Sequence, residues 1–521
     1  VRGRREHRSA FTIAASWLLV ATGLFACGGK VSDDLLVSND ASTGDDGVAA
    51  ATEASLPPIF PPPPTVDAAG PPANASDASS AQPAFGSELD AAADGETLDA
   101  AADATMLDAT ADVATQDAAD DAEVGSPYPA PHPPLPQAVS SGGPVLTTPH
   151  VQLIFYPNNA NQSALETFAQ NLATSTYWAT TTAEYGIGPL SYLGSTVLTG
   201  QTPPSVIAST DVQTWMGQQI AGGTFGTPDP ETIYTLVYPS TTTIQQQNPV
   251  TSLLGPVDSC STFYGYHDSV GVALTDGGAP TKFAYAIIAT CTASIDDQTA
   301  TMSHEWVESS TDPQATGDGP FALTAGPGAA YYSVDSNDVV WEVLASGGEV
   351  ADLCQPEGTA ADYTPADIGY AVQRIWSDRL AAASHDPCAP DLAGLPFFQS
   401  APVLNDMVVF TPLPNSGSLM TKGVTIPVGQ SATIEVDLFS DAPTSSPWTV
   451  TAGDLLSRNF ASYGVTPTLS FAWDQTQGSN GDKLHLTITV TGASLFGGAH
   501  AFFITSTRGS RYYEWPGVVV E

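Results

Sequence analysis

The chain has 521 residues, more than one hydrophobic core usually serves, so two or more domains are expected. Its formal charge of −42 comes from 55 acidic against 13 basic residues, with no Lys or Arg between Lys30 and Lys282. Such a surface excludes nucleic acid as a partner and repels phosphate and anionic headgroups, whereas it attracts divalent cations.

Arg2, Arg4, Arg5 and Arg8 precede an apolar run from Ala10 to Phe25, the layout of an export signal and too short for an ordinary membrane span. The run ends in Leu24-Phe25-Ala26-Cys27-Gly28-Gly29, which resembles a bacterial lipobox. Residues 1–27 are therefore expected to be a lipoprotein signal. Cys27 is the expected lipidation site, and a membrane reached through that lipid is the expected partner. Residues 28–139 are read as a disordered acidic stalk of Ala, Asp, Ser, Thr and Pro, which cannot bury enough apolar area to offset the entropy of ordering. Leu89-Asp90-Ala91, Leu98-Asp99-Ala100 and Leu107-Asp108-Ala109 recur within it at one spacing. They lack the glycine-rich turns of calcium-binding nonapeptides, so the stalk reads as a self-repelling spacer. Cys260, Cys291, Cys354 and Cys388 remain, an even number in an exported chain. Pairing Cys260 with Cys291 and Cys354 with Cys388 closes the modest loops and is the favoured arrangement.

From residue 140 to 395 strands alternate with helices. Val151 to Tyr156 reads as a buried strand, followed by a helix with Leu165, Phe168, Ala169 and Leu172 on one face. Leu190 to Val197 and Ile233 to Tyr238 read as strands around a helix bearing Val212, Trp215 and Met216. Phe263 to Leu274 and Phe283 to Ala289 form an expected hairpin. The expectation is an α+β domain with a mixed sheet.

The next helix, Asp296 to Ser310, contains His304-Glu305-Trp306-Val307-Glu308 and is stopped by Asp312-Pro313. His304 and Glu308 lie one turn apart on one face, a spacing that lets two side chains hold one metal ion. Glu305 would stand beside that ion as general base. Asp312, an acid at the negative end of the helix dipole, needs a compensating metal, arginine or backbone amide. The alternative is an amphipathic helix whose charges are solvated. No Gly-x-Ser-x-Gly elbow precedes a helix, no P-loop is present, and no methionine lies between Met302 and Met407 to form a Met-turn.

The helix resembles the His-Glu-x-x-His helix of zinc peptidases, with a glutamate for the second histidine. Together with Glu349-Val350-Ala351-Asp352-Leu353-Cys354, Gly142-Gly143-Pro144-Val145-Leu146 and Tyr264-Gly265-Tyr266-His267-Asp268-Ser269, it resembles the plant EXORDIUM or phosphate-induced protein family and its bacterial relatives. The resemblance implies a zincin-like core with zinc, or another divalent cation, on His304, Glu308 and Glu349. It places Asp352 behind His304, orienting it through the other ring nitrogen, and leaves the roles of Glu349 and Asp352 open to exchange. His267 is a candidate fourth ligand or oxyanion donor.

Beyond Leu392 short alternating strands separated by Gly, Pro, Asn and Asp turns predict an all-β, immunoglobulin-like sandwich over 396–521. Two functions follow. One is a surface-tethered, metal-dependent hydrolase acting on peptides; the other is a non-catalytic surface protein that binds envelope polymers.

Overall fold

The computed structural model describes residues 126–246, 257–314, 328–345, 347–410, 418–459, 465–494 and 498–521. The expected signal segment, Cys27 and the acidic repeats lie outside them. The described residues are rich in β-sheet, carry a few helices and belong to one compact unit.

The first half is built on strands β1 (Ala138–Ser140), β2 (His150–Phe155), β3 (Ser191–Val197), β4 (Thr232–Tyr238), β5 (Gly265–Val272) and β6 (Thr281–Ala289). Five of them form a sheet in the order β3-β2-β4-β6-β5, parallel except for the antiparallel β5-β6 hairpin. The period-2 alternation of strands sorts its two faces. Val151, Leu153 and Phe155 turn to one core with Val237, Ala286 and Ile288, whereas Ile154, Leu236 and Ile287 turn to the other. Helix α1 (Gln162–Thr174) covers the first face with Leu165, Phe168, Ala169 and Leu172, as its spacing predicts. Helix α2 (Thr176–Thr182) follows it directly, and α3 (Ser209–Ala221) covers the second face with Val212, Trp215 and Met216.

Helix α4 (Ile295–Thr311) lies on the α1 side and is buried from Gln298 to Thr311. Asp296 and Asp297 complement the positive end of its dipole. Trp306 fixes its rotation, stacking on Phe168 at 5.6 Å and donating its indole N–H to Thr235 Oγ1 at 2.8 Å. The chain leaves the helix at Asp312, where φ −140° and ψ 68° satisfy the demand of Pro313 for a non-helical predecessor. The solvated amphipathic alternative is thereby excluded.

After β7 (Tyr331–Val334) and α5 (Val340–Ala345) come two sheets. Strands β8 (Phe398–Pro402), β9 (Asp406–Phe410), β10 (Leu419–Thr425), β11 (Ser431–Ser440), β12 (Trp448–Asp454), β13 (Leu469–Trp473), β14 (Gln477–Gly478), β15 (Lys483–Val490), β16 (Ala499–Arg508) and β17 (Arg511–Val520) divide between them. One sheet has the order β8-β11-β15-β13, the other β9-β10-β17-β16-β12-β14. Their facing aromatics meet, Phe398 with Trp448 and Tyr513, and Phe471 with Phe502.

Two expected boundaries differ from the structure. The folded chain is already engaged at Pro127, not 140: Asn480 holds the Pro127 carbonyl and the Ala130 amide, and His132 stacks on Phe439 at 3.5 Å. Strand β1 then pairs with β7. Pro-rich composition reads as linker, but proline also pre-sets an extended backbone that a surface can bind at low entropic cost. The second boundary, at 395, crosses a continuous core in which Trp341 packs edge-on against Trp515 at 5.3 Å. Both disulfides join the cysteines expected, Cys260 with Cys291 and Cys354 with Cys388.

Glu342 on α5 is buried and accepts the Val334 amide at 3.1 Å. Burial raises its pKa from 4.5 to about 8, against the smaller effect of that hydrogen bond. A folded-state carboxyl raised in this way contributes stability that is complete below pH 4.5 and is lost as pH rises through about 8. Glu342→Gln, which keeps the acceptor without the charge, is expected to be more stable than the parent by roughly 2 to 4 kcal/mol at pH 9 and equal to it near pH 4. Thermal unfolding at the two pH values measures this; a gap of the same size at both would show that the carboxyl keeps its charge when folded.

Candidate metal centre

Helix α4, strand β5 and the segment before the second disulfide converge on one buried point. Gly265, His267 and Ser269 share a face of β5 by strand parity, and that face looks onto α4. Gly265 is required there. A Cβ at this position would lie 2.6 Å from Thr301 Cγ2 and 2.8 Å from Glu305 Oε1. Gly347 has the same role opposite, since a Cβ would lie 1.9 Å from Asp352 Oδ2.

Into this space project His267, His304, Glu305, Glu308, Asp312, Glu349 and Asp352, every side chain at least nine-tenths buried. His304 Nε2 lies 3.0 Å from Glu308 Oε2 and 3.6 Å from Asp352 Oδ1. His267 Nδ1 lies 3.5 Å from the same Glu308 oxygen and 3.7 Å from Glu305 Oε2, and its Nε2 lies 3.3 Å from Glu349 Oε1. Two groups of three follow, each with ligand atoms within 4.8 Å of one another: His304, Glu308 and Asp352, and His267, Glu308 and Glu349. Glu349 is thus grouped with His267, and Asp352 stands beside His304, an exchange that the sequence reading left open.

A correction concerns what orients His304. Its Nδ1 lies 2.9 Å from Gln373 Oε1, not against Asp352. The amide of Gln373 is fixed because its Nε2 donates to the Ala351 carbonyl at 2.7 Å, which leaves the oxygen for the imidazole. Nδ1 therefore carries a proton, and Nε2 is turned to the carboxylates. The Gln373 backbone is held as well, its N–H donating to Ser303 Oγ and its carbonyl accepting from Tyr177 OH. Nothing local in the sequence marks Gln373, which lies 69 residues from His304.

Polar satisfaction is incomplete in a telling way. His267 Nε2, His304 Nε2, both Glu305 oxygens, Glu349 Oε1 and Asp312 Oδ2 are buried without a hydrogen-bond partner. Native interiors rarely tolerate such atoms unless water or an ion satisfies them. Glu308 is anchored at Oε1 by the Asp352 amide at 3.1 Å, leaving Oε2 to the imidazoles. Asp312 receives the Ala330 amide at 3.0 Å on one oxygen, so a backbone group supplies half of its compensation.

The electrostatics agree with a cation-seeking site. Burial opposes charge on His304, but Glu308, then Glu305 and Asp352, push its pKa up to about 10. Burial likewise opposes charge on His267, which Glu349, Glu305 and Glu308 raise well above the usual imidazole range. Glu308 is held below the ordinary carboxylate range by His304 and His267 despite its burial. Burial pushes Glu305 and Glu349 each up to about 7, and raises Asp312. Protons on the imidazoles stand where cations would stand, so metal binding displaces protons.

A third acidic group, Glu357, Asp386 and Cys388, is not a metal site. The Arg374 guanidinium already fills it, and the cysteine sulfur is in a disulfide.

No family model matches this chain, and no curated protein matches it. Among solved structures, domains 4 and 5 of the S-layer protein SbsC match over 23% of this chain and 54% of that one, at 20% identity and a TM-score of 0.14. Domains 1–6 of the surface layer protein SbsC match over 31% and 19%, at 14% identity and the same TM-score of 0.14. A family 123 glycoside hydrolase from Clostridium perfringens matches over 24% and 27%, at 13% identity and 0.14. The chain spans about half the length of the first of these and less of the others, and at these TM-scores the likeness carries no argument. Among the described residues no helix is long and apolar enough to cross a membrane.

Proposed function

We propose that this chain is an exported, lipid-anchored, metal-dependent hydrolase of peptides, with a zincin-like catalytic half related to the EXORDIUM family and an immunoglobulin-like C-terminal half. The observation that carries the reading is Glu305. It is fully buried, both of its oxygens lack a hydrogen-bond partner, and it adjoins His304, whose Nε2 lies 3.0 Å from Glu308 Oε2. A buried, unsatisfied carboxylate costs on the order of 1–3 kcal/mol or more, which a purely structural metal site has no reason to bear.

His304, Glu308 and Asp352 would hold a divalent cation, which would supply Lewis acidity at this point. The donor set suits zinc or manganese, since it mixes imidazole with carboxylate. Gln373 keeps His304 in the tautomer that can bind a cation. Glu305 would accept a proton from attacking water and return it to the leaving amine. Both nitrogens of His267 face carboxylates, which argues against its use as an oxyanion donor. The charge of −42 disfavours polyanionic substrates and leaves neutral or basic peptides. Two disulfides suit an extracytoplasmic location.

A second reading, a metal that only braces the fold, is favoured by the absence of exposed surface on His304, Glu305 and Glu308. The test begins with plasma mass spectrometry of the purified full chain and its His304→Ala variant, followed by cleavage of an unbiased peptide library with and without chelator. Stoichiometric divalent metal in the parent, its loss in the variant and chelator-sensitive cleavage are expected. Metal without cleavage would establish the bracing role, and no metal in either protein would sink both readings.

A further inference from the structure

A cation among His304, Glu308 and Asp352 does not use up the buried ligand atoms. His267 Nε2 and Glu349 Oε1 still face each other at 3.3 Å, neither of them hydrogen-bonded. We propose that the centre is built for two divalent cations bridged by the Glu308 carboxylate, the second held by His267, Glu308 and Glu349. This deepens the function proposed above and rests on its metal-binding part.

Spacing is the first argument. Bonds of about 2.0–2.2 Å to nitrogen or oxygen place two ligand atoms of one ion roughly 3.0 to 3.5 Å apart, depending on geometry. In the second group the 3.3 Å between His267 Nε2 and Glu349 Oε1 matches such an edge, and the group's ligand atoms all lie within 4.8 Å of one another; in the first, the 3.0 Å between His304 Nε2 and Glu308 Oε2 matches one. The groups share only Glu308, and its Oε2 is the atom that both imidazoles approach.

Charge is the second. Glu305, Glu308, Asp312, Glu349 and Asp352 are five buried carboxyl groups, and four of them lie within 4 Å of a ring nitrogen of His267 or His304. With neutral imidazoles bound to metal, one divalent ion offsets two carboxylate charges, whereas two ions offset four. An uncompensated charge in such a place costs several kcal/mol, so the second ion removes most of the deficit. Glu305 borders the second position, with Oε2 3.7 Å from His267 Nδ1. A bridged pair can clamp the attacking oxygen and the carbonyl oxygen of the same substrate together.

The experiment strips the full chain with chelator, reloads it with excess Mn²⁺, desalts it, and measures manganese per chain alongside its electron paramagnetic resonance. Two ions per chain are expected, with the halved hyperfine spacing of an exchange-coupled pair. His267→Gln and Glu349→Gln should each hold one ion and give the six-line spectrum of an isolated one, with circular dichroism confirming that they are folded. One ion in the parent that persists in His267→Gln would overturn the second site and leave the single-ion centre standing. Two ions persisting in both variants would overturn the assignment of its ligands, and no ion in the parent would overturn the whole centre.

Discussion

Glu305→Gln is expected to silence hydrolysis while leaving the cation in place and making the cation-free protein more stable. The three effects have one origin. Glu305 is fully buried and its oxygens have no hydrogen-bond partner, with His267 Nδ1 3.7 Å from Oε2. Glutamine fills the same volume without the charge, so proton transfer is lost at a cost of about a hundred- to ten-thousand-fold in rate. Neither cation group includes Glu305, so metal per chain should not change. With the metal chelated away, removing a carboxylate whose burial outweighs the help of its imidazole neighbours should stabilise the fold above neutral pH by roughly 1 to 3 kcal/mol, read as a higher midpoint in denaturant. Loss of metal in the variant would make Glu305 a ligand, and unchanged cleavage would remove it from the mechanism.

How much of this was legible in the sequence depends on the range over which each signal acts. The four-residue spacing of His304 and Glu308 is a property of one helix, so the sequence places both on one face beside Glu305. Strand parity similarly puts His267 on the side of β5 that faces α4, although only folding brings that side within 4 Å of Glu305 and Glu308. Glu349 and Asp352 came from resemblance, and the structure distributes them differently from the expected order. Gln373 was not legible, because its role exists only when Val372–Gln373 reaches Ser303 and His304 across 70 residues. The cysteine pairs follow loop size and were readable. The engaged segment from Pro127 and the shared core behind Trp341 and Trp515 were not, since composition reports average polarity and not which surface a proline-rich strand will meet.

Arg374→Met is expected to cost about 3 to 5 kcal/mol, the largest loss of stability of any single substitution outside the metal centre. Arg374 is fully buried, with Nη1 2.8 Å from Glu357 Oε2 and Nη2 2.8 Å from Asp386 Oδ2. Its Nε donates to the Pro390 carbonyl at 3.1 Å and Nη2 to that of Cys388. Asp386 extends the network to the C-terminal sheets, accepting from Tyr513 OH at 3.2 Å with Arg511 3.7 Å away. Burial, and then Asp386, push the pKa of Glu357 well above its ordinary value, so without the guanidinium this carboxyl has little means of carrying charge. Methionine restores the volume but answers none of the oxygens, so the loss comes from stranded acceptors more than from a cavity. Adding Glu357→Gln and Asp386→Asn to the Met variant removes the stranded charges and should recover more than half of the loss in chemical unfolding, while metal per folded chain stays at the parent value throughout. A single variant within 1 kcal/mol of the parent would mean that Arg511 can take over the cluster. The guanidinium would then be a filler, and the joint between the two halves would rest on the Trp341–Trp515 contact and the engaged segment from Pro127 instead.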